Sequence, residues 1–173
     1  MNINHNDKTV YIETPYDKEI SDLNSELNTT YIPMGKEGAK YKLNQATQDS
    51  NASFFSQSNT ADRASFKASK KYKNDKWDLV DAYEKDKSVI KKESKLPEHL
   101  KGKSTEDVEK EIKVIKEKRS SIQSEIQKLD KKRKDYIKAE KAKSTNKTDD
   151  NLENSILKSV KEKALKKGYK FKE

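Results

Sequence analysis

The sequence predicts a mainly α fold, in which long helices form a helical hairpin or coiled coil and one short strand stands at the N-terminus. Three observations carry this. Of 173 residues only 30% are hydrophobic while 40% are charged, and the mean hydropathy is -1.25. Ordering the backbone costs on the order of 1–2 kcal/mol per residue, which so few apolar side chains can offset only along narrow stripes. With Gly 4 and Pro 3 in the whole chain, the turns that a sandwich or barrel needs are scarce. Finally, apolar residues beyond residue 104 recur at alternating steps of four and three.

The strand is expected at Lys8 to Thr14, where Val10, Tyr11 and Ile12 cluster. Thr14-Pro15 then reads as a helix start. Thr14 is the expected cap, Pro15 takes the first helical position, and Asp17 and Glu19 lie near the positive end of the helix dipole. Tyr16, Ile20, Leu23 and Leu27 give this helix one apolar stripe before Pro33 and Gly35 end it.

From Lys36 to about Lys73 the pattern predicts a long helix with a seam of Ala39, Leu43, Ala46, Phe54, Ala61, Ala64, Ala68 and Tyr72. Its Ser-, Asn- and Gln-rich centre, between Gln45 and Thr60, is weak and predicts a break or local fraying there. Trp77, Leu79, Val80 and Tyr83 predict a short docked helix. Trp77 is expected to fix the junction from the core, with an interface anchor as the alternative. Asp78 and Asp81 are expected on the wet face of that helix. Lys85 to Lys103, with Pro97 and Gly102, reads as a connection anchored by Val89 and Ile90.

Ser104 caps the last long element. Val108, Ile112, Ile115, Ile122, Ile126, Leu129 and Tyr136 form a heptad seam, and Arg119 and Arg133 stand at the two positions the apolar series skips. The seam's expected partner is the helix of residues 36–73 in an antiparallel hairpin, or a second copy of the chain. After the polar stretch Ser144 to Asp150, Leu152, Ile156, Val160 and Ala164 predict a terminal helix stopped by Gly168 as a left-handed cap. The chain thus divides into 1–35, 36–103 and 104–173.

The formal net charge is +9, and the positive excess lies beyond residue 60, because residues 1–60 carry five lysines against eight acids. Lys131, Lys132, Arg133 and Lys134 are the candidate basic patch for nucleic acid or an anionic surface, with Lys166-Lys167 a smaller run. Stacking aromatics are missing beside them, since Tyr136 belongs to the seam, so nucleic acid is disfavoured. Cys 0 excludes thiol and disulfide chemistry. The two histidines, His5 and His99, lie far apart in sequence, and Gly35, Gly38, Gly102 and Gly168 are too isolated to cradle phosphate. No catalytic site, metal or cofactor is expected. No stretch approaches the roughly 20 apolar residues of a membrane span, and the first fifteen residues lack a signal-peptide pattern.

One segment resembles a known family. INHNDKTVYIETPYDKEISDLNSELNTTYIP is similar to the last strand, last helix and exit turn of bacterial von Willebrand factor type A domains. The matching positions are Thr14, Pro15, Tyr16, Asp17, Leu23, Asn24, Leu27, Thr30, Tyr31, Pro33 and Gly35. Gln48-Asp49, the run Trp77-Asp78-Leu79-Val80-Asp81 and the lysine-rich helical end also resemble the tails such proteins carry. The resemblance implies that residues 1–35 are the edge of such a domain, with Met1 inside the parent domain. It also implies an exported parent that binds other proteins. The family's Asp-x-Ser-x-Ser metal motif is absent from this sequence, so no metal-site residue carries over. The expected function is a non-enzymatic protein-interaction or oligomerisation module whose partner is a protein of another kind or a second copy of the chain. The alternative is a basic binder of nucleic acid or an anionic surface.

Overall fold

A computed structural model describes residues 12–144 and 152–169. The described chain is mainly helical: α1 (Asp17–Thr29), α2 (Gly38–Phe55), α3 (Gln57–Lys67), α4 (Leu79–Lys85), α5 (Thr105–Ser144) and α6 (Leu152–Lys166). Short 3-10 turns at Lys87–Lys91, Glu93–Lys95 and Glu98–Leu100 link α4 to α5. Residues 13–136 make one compact unit, and the described residues from 137 onward belong to a second. Most of the strand expected at Lys8 to Thr14 lies outside the described residues; Glu13 and Thr14 are not in a strand.

α1 starts two residues later than expected, at Asp17, with Tyr16 in the capping position and no side-chain cap, so Thr14 and Pro15 lie just ahead of the helix. Thr14 accepts the Tyr16 N–H on its hydroxyl (3.3 Å), while the Asp17 carboxylate accepts the Thr14 N–H (2.9 Å) and hydroxyl (2.9 Å). Reciprocal bonds of this kind satisfy donors that a helix end leaves open. Beyond α1, Tyr31 to Met34 runs antiparallel to Trp77 and Leu79. Met34 N–H donates to the Trp77 carbonyl (2.8 Å), and Leu79 N–H to that of Ile32 (2.9 Å). Gly38 opens α2 hard against this segment, where a Cβ would come within 3.0 Å of the Pro33 backbone.

The helix expected over 36–73 is broken into two at Ser56, inside its Ser-, Asn- and Gln-rich centre. Ser56 is extended (φ -172, ψ 161), and its hydroxyl caps α3 by accepting the Asn59 N–H at 3.0 Å. A serine gives little to a helix interior but much to a cap. The break also divides the expected seam. Ala61, Ala64 and Ala68 of the α3 stretch are buried, and these small side chains let helices approach closely. The α2 stretch is turned the other way: Ala39, Leu43, Ala46 and Phe54 face water, while Gln45 and Asp49 are buried.

Two apolar clusters form the core. One joins Ile20 and Leu27 of α1 and the alanines of α3 to Tyr31, Trp77 and Ile122, Ile126 and Leu129 of α5. The other joins Ile32, Met34 and the apolar face of α4 to Val89, Ile90, Leu96 and Leu100 of the connection and to Val108 and Ile112 of α5. α5 is therefore the spine shared by both. The connection holds four buried anchors where two were expected, because Leu96 and Leu100 also turn inward. The α5 seam meets α1, α3 and α4, and of residues 36–73 only the α3 stretch shares a cluster with it. Gly168, at φ +84, ends α6 as expected.

Candidate functional site

The most elaborate chemistry lies in three buried ionic clusters, two of them organised by the arginines that interrupt the α5 seam. Arg119 is 5% exposed and grips Asp78, which is 0% exposed, with Nη1 to Oδ2 at 2.7 Å and Nη2 to Oδ1 at 3.1 Å. The same guanidinium donates to Asp81 (2.9 Å), to the Thr30 hydroxyl (3.1 Å) and to the Thr30 carbonyl, and it lies 4.5 Å over the Tyr31 ring. Asp78 also accepts the Ile32 N–H (2.8 Å) and caps α4 by accepting the Asp81 N–H (3.0 Å). One carboxylate thus ties α4, the α1 exit and α5 together. Asp78 and Asp81 are not on a wet face: burial and the Asp78 charge raise the Asp81 pKa, and Asp78 is sealed in the core. Burial alone would lower the Arg119 pKa, but the bond to Asp78 and the charges of both carboxylates reverse this and hold it raised.

Arg133 repeats the device two heptads later. It is 3% exposed and donates through Nε to Asp17 (2.6 Å), through Nη1 to Asp62 (2.6 Å) and through Nη2 to the Ser58 hydroxyl (2.6 Å). It therefore leaves the expected basic patch, whose exposed members are Lys131, Lys132 and Lys134. Of these, Lys134 pairs with Asp130 at 2.6 Å.

The third cluster lies behind α2. Lys67, 0% exposed, directs its ammonium at Asn24 Oδ1 (2.8 Å), Asn28 Oδ1 (2.6 Å) and Asp49 Oδ2 (2.7 Å). Arg63 pairs with the other oxygen of Asp49, and Gln45 donates to Asn28 (2.9 Å) and accepts from Tyr72 (3.1 Å). Burial pushes the Lys67 pKa down to about 8 despite Asp49. Burial would raise the Asp49 pKa, but Lys67, Asn28 and Arg63 together hold it lowered. All three ammonium protons of Lys67 are committed, so the cluster locks α1, α2 and α3 together. It explains why α2 turns its polar side inward. Asn24, Asn28, Gln45 and Asp49 were legible as polar helix positions, but nothing in their spacing marked Asn24, Gln45 and Asp49 as buried or Asn28 as half-buried beside them.

Of the other expected site residues, Val108, Ile112, Ile122, Ile126 and Leu129 are buried within the chain, Ile115 packs at the edge of the second cluster, and Tyr136 is 36% exposed. Trp77 is buried with its ring 5.7 Å from that of Tyr31. His99 lies 3.4 Å from Glu111, His5 falls outside the described residues, and among the described residues no group of acids and histidines could hold a metal. An open groove of about 990 Å³ runs between α4 and α5. Its charges alternate and pair across it, with Lys116 to Glu84 at 2.8 Å and Tyr83 to Glu109 at 2.9 Å.

Large apolar side chains also face solvent. On α2, Leu43 is 66%, Phe54 88% and Phe55 75% exposed, and the two phenylalanine rings meet edge-on at 6.0 Å. No family model, curated protein or solved structure matches the chain.

Proposed function

We propose that this chain is a non-enzymatic protein-interaction and oligomerisation module, the tail of an exported binding protein of the von Willebrand factor type A kind. In this reading α5 is the spine and the outer face of α2 is the contact surface. The observation that carries it is the inverted polarity of α2, whose buried positions are Gly38, Gln45 and Asp49 while Leu43, Phe54 and Phe55 face water. A surface helix ordinarily turns its apolar stripe to the core. Exposed apolar surface on such a helix marks an interaction site, and aromatic residues dominate contact energies. The α5 seam, buried within the chain, is support for that surface and not the surface itself.

Each phenylalanine or leucine that becomes fully buried contributes about 1.5–3 kcal/mol, so six such side chains in a symmetric contact supply about 9–18 kcal/mol against an association cost of about 4–15 kcal/mol, and self-association through this face is the expected outcome. The double variant Leu43→Asp/Phe54→Asp should keep the helical circular dichroism of the parent and lose that association in light scattering. A parent chain that stays monomeric at hundreds of micromolar, or an association that the variant leaves intact, would remove α2 from the role. The reduced patch of Lys131, Lys132 and Lys134 gives the nucleic-acid alternative no supporting observation.

A further inference from the structure

We infer that α2 is a latch that leaves the body of the fold as one unit and gates access to the Lys67 amine, with the Asp49 carboxylate as its bolt. The inference concerns the inner face of α2 and stands apart from what covers the outer one. Among the described residues, neither apolar cluster contains a member of α2. What turns inward instead is the polar row Lys42, Gln45 and Asp49, spaced three and four apart and therefore on one side of the helix. Lys42 donates to the Tyr31 carbonyl (2.9 Å), and Gln45 bridges Asn28 and Tyr72. Asp49 accepts from Lys67 (2.7 Å), Asn28 (2.6 Å), Asn24 (3.4 Å) and Arg63.

Docking through polar bonds differs from docking through buried apolar area. Polar groups regain water when they part, so the net gain of each bond is a small fraction of its gross strength. Moving α1 would instead expose Ile20 and Leu27, and moving α3 would expose Ala61 and Ala64, all fully buried. The closed latch also carries a cost. Arg63 Nη2, on the guanidinium that meets Asp49, is buried and finds no hydrogen-bond partner among the described residues, and opening removes that penalty. Both ends of the latch are fixed. The Lys95 carbonyl holds the Gly35 N–H (2.9 Å), while Ser56 caps α3 and Arg133 grips Ser58. Between these points α2 is rich in Asn, Ser and Thr, and a lone helix of 18 residues with that composition does not persist in water. Undocking therefore frees the α2 amides together and uncovers Lys67, which is sealed in the closed form.

Hydrogen exchange of the full chain at low micromolar concentration, read by mass spectrometry, should show the α2 amides exchanging as a block ahead of those of α1, α3 and α5. Sub-denaturing urea should change that block little, because the opening exposes little surface. An N-hydroxysuccinimide ester should acylate Lys67 at the rate of α2 opening, well ahead of global unfolding. Asp49→Asn keeps the shape and removes the charge, and it should speed both readings about ten- to a hundredfold while leaving α5 exchange unchanged. Two results on the parent chain would overturn the inference whether or not the variant folds: α2 amides that exchange only together with those of α5, or Lys67 acylated no faster than the chain unfolds. An Asp49→Asn change that leaves α2 exchange as it was, or that speeds every helix alike, would overturn it too.

Discussion

Arg119→Leu separates two descriptions of α5 that disagree in sign. As an element of a heptad seam, residue 119 is a flaw in an apolar series, and leucine there should stabilise. In the folded chain it should do the opposite. The substitution removes five donated hydrogen bonds, to both oxygens of Asp78, to Asp81 and to the hydroxyl and carbonyl of Thr30. Leucine replaces the buried aliphatic stem of the arginine, so the apolar terms roughly cancel. What is left is the carboxylate of Asp78, 0% exposed, with no cation beside it. Breaking a buried pair by removing one partner costs about 3–5 kcal/mol, equivalent in a chain of this size to a fall of about 6–20 °C in Tm. Urea unfolding should be followed by the fluorescence of the only tryptophan, Trp77, which lies buried at this junction, and in parallel by helical circular dichroism. Adding Asp78→Asn to Arg119→Leu should cost less than the sum of the two single changes, with a coupling of about 1–3 kcal/mol. A neutral or stabilising Arg119→Leu, or strict additivity in the cycle, would refute the reasoning.

Two further outcomes follow from the same packing. Ile126 is 0% and Ile122 5% exposed within the chain, so Ile122→Asp/Ile126→Asp should unfold the monomer, with a loss of several kcal/mol. A well-folded variant of changed mass would instead place the seam between copies. The Lys67 ammonium, followed by carbon-13 NMR of the labelled chain, should titrate with a midpoint near 8 because burial outweighs Asp49. With the folded pKa below the ordinary lysine value of 10.5, the unfolded chain holds the extra proton between pH 8 and 10.5. Lys67 therefore adds stability as pH rises through that window and withdraws it as pH falls back through about 8. A midpoint at 10 or above would contradict the burial of this group.

Periodicity in the sequence determined the mainly helical character, because an amphipathic helix writes its buried stripe directly into residue spacing. Val108, Ile112, Ile122 and Ile126 are core residues for that reason, as is Trp77, and Gly168 ends α6 because only glycine adopts a left-handed backbone without cost. The buried charges were not legible in the same way. Asp78, Asp49, Asp17, Lys67, Arg119 and Arg133 are residue types that ordinarily face water, and spacing alone assigns them there. Each is buried because a partner far along the chain meets it: Arg119 lies 41 residues from Asp78, and Arg133 116 from Asp17. Which face of α2 turns inward was decided the same way, by Lys67, Asn24 and Asn28 arriving from other helices to satisfy Asp49. Local pattern shows which residues can be buried at no electrostatic cost, whereas a charge enters the core only where the tertiary structure brings its counter-charge, and no local pattern records that meeting.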